Sequence, residues 1–92
     1  MGESCLQEAQ RICDGARGDD YGHPADDYAR TAALWSVILG VEVSAEKAIL
    51  CMIAVKVSRQ VNRPKRDNLV DIAGYAYCLE RVMERKQKGE PQ

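Results

Sequence analysis

The sequence lacks the features that mark several large classes of protein. Lys and Arg total 13 against 14 Asp and Glu, and a formal net charge of −1 argues against general coating of DNA or RNA. No stretch approaches the roughly 18 consecutive apolar residues of a membrane span, and no basic patch followed by an apolar run marks a signal peptide at the N-terminus. We therefore expect a cytoplasmic protein whose partners include neither a nucleic-acid polymer nor a membrane.

Zinc-site and disulfide patterns are also missing. The four cysteines, Cys5, Cys13, Cys51 and Cys78, form no C-x-x-C pair, and His23 is the only histidine. The ligand spacing of a structural zinc site is therefore absent. In a cytoplasmic chain these cysteines are predicted to be reduced thiols, buried or half-buried as small apolar side chains.

Hydrophobic periodicity predicts a single helical domain over residues 1–92. Apolar residues recur at helical spacing, and neither a strand pattern nor an Asn-Gly or Asp-Gly hairpin turn is present. The predicted helices span residues 1–17, 24–40, 44–62 and 66–86, and a polar tail covers 87–92. Pro24 and Ser44 suit helix starts, and Gly40 suits a helix end. The expected fold is all-α, a four-helix bundle.

The third predicted helix contains an unusual apolar segment. Residues 48–55 (AILCMIAV) are apolar on every side of the helix, which requires that protein surrounds them. A small domain buries only roughly 60–65% of its unfolded surface, so a chain of this size encloses only part of such a segment. We therefore expect a homo-oligomer, in which identical copies complete the bundle.

A basic segment follows on the same helix. Residues 56–66 carry five bases and no acid, and Lys56, Arg59 and Arg63 share one helix face. Asp67 and Asp71 share a face of the next helix, which a short turn makes an antiparallel neighbour. These charges either form inter-helix ion pairs, worth about 0–1 kcal/mol each, or hold an anionic ligand.

The functional interpretation of the basic segment is a local anion site. Arg offers a planar fork that matches phosphate geometry, and Lys offers a compact charge. In a net-acidic protein, such a site favours a small phosphorylated ligand over a polymer. The candidate binding residues are Lys56, Arg59, Lys65 and Arg66. Asn68 and Asp71 are candidates for recognising the ligand through their polar side chains.

The segment Tyr21-Gly22-His23-Pro24 is the second candidate for binding. Backbone N–H groups at a helix N-terminus can face an anion, and Tyr21 and Tyr75 can stack on a base. Alternatively, His23 caps the helix or packs as a surface ring, and the tyrosines are amphipathic residues at the edge of the core.

Gly74 lies in the middle of the fourth predicted helix. Glycine there costs about 1 kcal/mol relative to alanine. We expect a close approach at this position, either by a neighbouring helix or by a ligand.

The sequence assigns no catalytic residues. It contains no P-loop and no Ser-His-Asp set that periodicity would assemble. A Mg²⁺ site needs carboxylates, and the best candidates are Glu46, Asp67 and Asp71, although no Glu-Glu-x-x-Glu run completes a cluster. We therefore expect no metal or other cofactor, with Mg²⁺ at these three residues as the alternative.

The motifs resemble those of a family of short bacteriophage proteins of unknown function. The matching residues are Asp20-Tyr21-Gly22-His23-Pro24, Ala33-Leu34-Trp35, Lys56-x-x-Arg59 and the run KRDNLVDIAGY over 65–75. The second half also resembles phage nucleotide-modification-associated domains. More distantly, it is similar to the all-α nucleoside triphosphate pyrophosphohydrolases of the MazG type. The resemblance implies a MazG-like, oligomeric helical protein that handles nucleotides in the cytoplasm of an infected bacterium.

The departures from the MazG pattern bear on activity. Enzymes of that type bind Mg²⁺ through Glu-x-x-Glu on one helix and Glu-x-x-Asp on the next. Here Lys56 and Arg59 stand where the first carboxylates would be, which leaves Asp67 and Asp71. We therefore expect binding of a nucleotide-like ligand without turnover, which would serve immune evasion by sequestering a host cyclic-nucleotide or ADP-ribose-type signal.

Two alternatives to ligand sequestration stay open. One is an enzyme, either a Mg²⁺-dependent nucleotide pyrophosphohydrolase or another enzyme of the nucleotide pool. The other is an oligomeric adaptor that binds no small ligand.

Overall fold

Four helices of at least ten residues make up the fold. The computed structural model describes residues 2–15 and 20–89, which contain α1 (Cys5–Asp14), α2 (Pro24–Leu39), α3 (Ala45–Asn62) and α4 (Arg66–Gln87). These residues include no strand, so the predicted all-α class is confirmed for them. None of the described helices has the length and apolarity that crossing a membrane requires. Residues 1, 16–17 and 90–92 of the predicted helix and tail lie outside the described residues.

Local capping determines where the helices begin. A capping box of Ser4 and Gln7 starts α1. At the start of α2, the Nδ1 atom of His23 accepts a hydrogen bond from the Ala25 N–H at 3.0 Å. His23 therefore caps the helix, which is the alternative to ligand binding given for this residue above. Ser44 caps α3 in the same way. The N-cap of α4 is Lys65, which makes no side-chain capping bond.

Helix α4 is central, because it packs against all three other helices. Helix α3 packs between α2 and α4, whereas α1 packs on α4 alone. Ile49 of α3 and Val82 of α4 are fully buried in the core. The other members of the core are mostly small, and they include Ala25, Ala32, Ala45, Ala48 and Cys78. Small side chains let the helices of this short chain approach closely.

Gly74 lies where α1 packs on α4. A Cβ atom at this position would be 3.6 Å from the Sγ atom of Cys13. The Cys13 thiol donates a weak hydrogen bond to the Gly74 carbonyl at 3.8 Å. A neighbouring helix, α1, therefore contacts this position, but at an ordinary van der Waals distance that does not require glycine.

The four cysteines are free thiols in the structure, as predicted. Cys13 and Cys78 are buried and Cys5 is partly buried. Cys51, however, is exposed on α3, so the expectation that every thiol is at least half-buried was wrong for this residue.

The apolar segment of α3 is covered on one side only in the single chain. Ala48 and Ile49 are buried, whereas Leu50, Cys51 and Val55 are exposed. The expectation that protein surrounds this segment is therefore not met by one copy. The physical reason is that α1 packs on α4 and not on α3, which leaves the outer face of α3 bare.

Candidate functional site

A shallow groove lies at the turn between α3 and α4. Its volume is about 540 Å³, within the range of small-molecule sites. The lining residues are polar or basic: Ser58, Arg59, Asn62, Arg63, Lys65 and Asn68. No acidic residue lines the groove, so the formal charges on its wall are all positive. It brings together three of the predicted binding residues, Arg59, Lys65 and Asn68.

Gln60 fixes the backbone of this turn. Its Oε1 atom accepts hydrogen bonds from the Lys65 N–H at 2.9 Å and from the Asn68 Nδ2 atom at 3.1 Å. The same Asn68 amide donates to the Arg63 carbonyl at 3.5 Å. Asn68 is buried, and its amide nitrogen is satisfied by these two hydrogen bonds. These hydrogen bonds therefore fix the backbone of the turn from which the surrounding basic side chains extend.

Two of the predicted binding cations are engaged in ion pairs. Lys56 crosses from α3 to α4, where its Nζ atom lies 2.8 Å from Asp71 Oδ2, and its side chain is only 15% exposed. Arg66 donates to Glu8 Oε1 at 2.6 Å and to the Glu3 carbonyl at 3.0 Å. The hydrogen bond to the Glu8 carboxylate raises the pKa of the Arg66 guanidinium. Lys56, Arg66 and Asp71 thus join helices to one another.

The other cations of the segment are exposed and lie around the groove. Arg59, Arg63 and Lys65 form no ion pair with any residue in the described ranges. The first N–H groups of a helix, here those of Arg66 and Asp67, have no acceptor within the helix. No side chain caps α4 to supply one. The positive end of the helix dipole therefore adds to the three exposed cationic charges.

The second predicted binding segment lies elsewhere. Tyr21 is exposed and lines a cleft of only about 10 Å³, which holds no more than a water molecule. His23 caps α2, and Tyr75 packs edge-on against Tyr28 with ring centroids 6.5 Å apart. None of these residues lines the groove. The structure does not bring the two predicted binding segments into one site.

The carboxylates of the alternative Mg²⁺ site are likewise dispersed. Glu46, at the start of α3, accepts a bond from Lys86 Nζ at 3.3 Å. It lies about 24 Å along the helix axis from the groove end of α3, at 1.5 Å per residue. Asp71 is paired with Lys56, and Asp67 is exposed. Within the described residues, no group of three His, Cys, Asp or Glu side chains is arranged to hold a metal ion.

Sequence reasoning missed several residues of the groove. Ser58 and Asn62 lie four residues apart on α3, directly beside the row formed by Arg59 and Arg63. This helical spacing is the signal that would have identified them. Gln60 gave no comparable signal, because its role depends on the path of the turn.

Family comparison identifies a group of related sequences. Residues 4–83 match the family described as a domain of unknown function, DUF6378. The chain belongs to this family. It is similar to the Gene 55 proteins of Mycobacterium phages D29 and L5, with 41% identity over 99% of the chain and 39% over 97%. The chain spans 61% of the length of each of these relatives, and no solved structure matches it.

These findings confirm the coarser part of the resemblance inferred from the motifs. The relatives are phage proteins, and the family description assigns no function.

Proposed function

We propose that the chain binds a small phosphorylated ligand of nucleotide type in the groove between α3 and α4. The observation that carries the proposal is the set of exposed cations, Arg59, Arg63 and Lys65, around a groove of about 540 Å³. Arginine forks and a lysine charge suit phosphate oxygens.

The contrast among neighbouring cations supports a ligand role. Lys56 and Arg66 lie in the same basic segment, and each has a carboxylate partner within 3 Å. The groove cations have no such partner among the described residues. Mutual repulsion among three adjacent cations is unfavourable unless an anion or solvent screens it. A bound phosphate would relieve that repulsion.

The overall charge and the groove's size favour a small ligand. The chain carries a net charge of −1, so its overall charge provides no general attraction for a long polyanion. Asn62 and Asn68 line the groove beside the cations and add amide groups to its wall. The resemblance to nucleotide-handling phage domains and to MazG-type proteins makes a nucleotide the ligand class that we propose.

We further propose binding without turnover. The groove is lined by cations, amides and a hydroxyl, and no carboxylate reaches its wall to hold Mg²⁺ beside a phosphate. A binding protein of this kind would serve a phage by sequestering a host signal of the cyclic-nucleotide or ADP-ribose type.

Isothermal titration with ATP, pyrophosphate and adenosine tests this proposal. We expect ATP and pyrophosphate to bind, adenosine to bind far more weakly, and binding to persist in EDTA. Chromatography of the titrated ATP should recover it intact. If chelation abolishes binding, and Mg²⁺ restores it with release of AMP, the pyrophosphohydrolase alternative is correct and the proposal fails.

A further inference from the structure

We propose that two copies of the chain dimerise through an apolar stripe on the outer face of α3. The stripe consists of Leu50, Ala54, Val57 and Val61, all of which are exposed in the single chain. The exposed fraction reaches 52% for Leu50 and 81% for Val61. This inference requires no ligand in the groove and is independent of the proposed function.

The spacing of the stripe fits another helix. Its members follow one another at intervals of four, three and four residues, which is the pattern of a coiled-coil seam. Side chains at this spacing remain on one face of a helix over three turns. The same seam on a second copy is self-complementary about a twofold axis, so one surface supplies both halves of the interface.

Helix α2, which packs against α3, carries further exposed apolar residues. Leu34, Val37 and Ile38 share a face at helical spacing, and Val37 is 82% exposed. Leu39 and Val41 continue the exposed apolar surface into the loop that leads to α3. Single exposed apolar residues are ordinary, but a group of this size on consecutive packed helices marks an interaction surface.

The surface area supports a partner the size of a second copy. The chain exposes 6211 Å², whereas a monomer of this mass is expected to expose roughly 5300 Å². The excess of about 900 Å² is similar to the roughly 800 Å² that each partner buries in a standard interface. The surface that this chain exposes beyond that of a typical monomer is therefore comparable to the area that one partner of a dimer buries.

Sedimentation velocity between about 1 and 100 µM protein tests the dimer. We expect a species of twice the 10.2 kDa chain mass. The double variant Leu50→Gln, Val61→Gln should raise the dimer dissociation constant roughly tenfold or more, because it removes apolar area from the seam. Leu6→Gln on α1 is the matched control, since Leu6 is 73% exposed but lies off the stripe. The species that this variant forms should have the same sedimenting mass as the species formed by the unchanged chain.

Several results would overturn the inference. One is a monomer at the highest concentration, and another is a double variant that dimerises as well as the control. Far-UV circular dichroism checks that each variant is folded. If the double variant loses helix, Val61→Gln alone decides the matter, because this side chain has few contacts to lose within one copy.

Discussion

The cations of the α3–α4 hairpin have two different roles at the scale of single residues. Lys56 contacts Asp71 at 2.8 Å and Arg66 contacts Glu8 at 2.6 Å, so both stabilise packing between helices. Arg59, which lies one turn after Lys56, lines the groove and is exposed. Neighbouring basic residues of one segment therefore differ in role, because some have a carboxylate close enough to form an ion pair and others do not.

Arg59 provides the clearest test of a binding role. A hydrogen bond from a charged group to phosphate contributes about 1.5–3 kcal/mol, so Arg59→Ala should weaken ATP binding by roughly ten- to a hundredfold. Arg59→Lys should recover part of the affinity, because lysine keeps the charge but not the bidentate fork. Titration calorimetry measures both effects.

The matched control is Arg30→Ala, which removes an exposed arginine on α2 that lies 3.9 Å from Asp27, outside the groove. It should leave affinity unchanged. All three variants should melt within a few degrees of the original chain, because exposed substitutions usually change stability by about 0.5 kcal/mol or less. Unchanged affinity with a lowered melting temperature in Arg59→Ala would show that Arg59 is structural.

Sequence reasoning identified the hairpin charges but not their partners. The row of bases facing a row of acids led to Lys56 and Asp71, because two helices joined by a short turn must lie antiparallel. The partner of Arg66 is Glu8, 58 residues away in the chain. Helical spacing carries no information about such a pair, which depends on where α1 docks.

At the scale of elements, α4 is fixed at both ends by charged contacts. Near its start, Arg66 pairs with Glu8 of α1. Near its end, Arg85 pairs with Asp26 of α2 at 2.8 Å. Each contact is partly exposed and worth about 0–1 kcal/mol alone, and the two contacts join opposite ends of α4 to two different helices.

Gly74 tests how closely α1 packs on α4. An alanine Cβ would lie 3.6 Å from Cys13 Sγ, an ordinary contact distance. Gly74→Ala should therefore raise the free energy of unfolding by about 0.5–1 kcal/mol, since alanine loses less backbone entropy in a helix. Urea denaturation measures the change.

Gly40→Ala is the contrasting variant, because Gly40 ends α2 with a φ of 72°. Alanine is strained in this left-handed conformation, so the free energy of unfolding should fall by about 1–2 kcal/mol. A comparable loss in Gly74→Ala would mean that α1 lies too close to α4 to admit a methyl group.

Helical periodicity predicted the class of the elements better than their arrangement. Pro24, Ser44 and Gly40 marked helix ends through local chemistry, which acts over a few residues. The pattern of residues 48–55 indicated burial on every side, yet one chain leaves Leu50 and Val55 exposed. A hydrophobic pattern indicates that a surface needs cover but does not say which element or copy supplies it.

At the scale of the whole molecule, two surfaces lie close together on α3. The groove uses Ser58 and Asn62, and the apolar stripe uses Val57 and Val61, the residues immediately before them. One helix thus presents a polar row to the proposed ligand and an adjacent apolar row to the proposed second copy. The core faces of the same helix hold Ala48 and Ile49.

The central claim is that the groove binds a phosphorylated small molecule, and amide proton–nitrogen correlation spectra during titration with ATP test it most directly. The account predicts that the largest shift changes fall on residues 58–68, including the free N–H groups of Arg66 and Asp67 at the start of α4. The same titration of Arg59→Ala should need roughly ten- to a hundredfold more ATP for equal changes. No shift change at millimolar ATP, or changes clustered around Tyr21 and His23, would contradict the account.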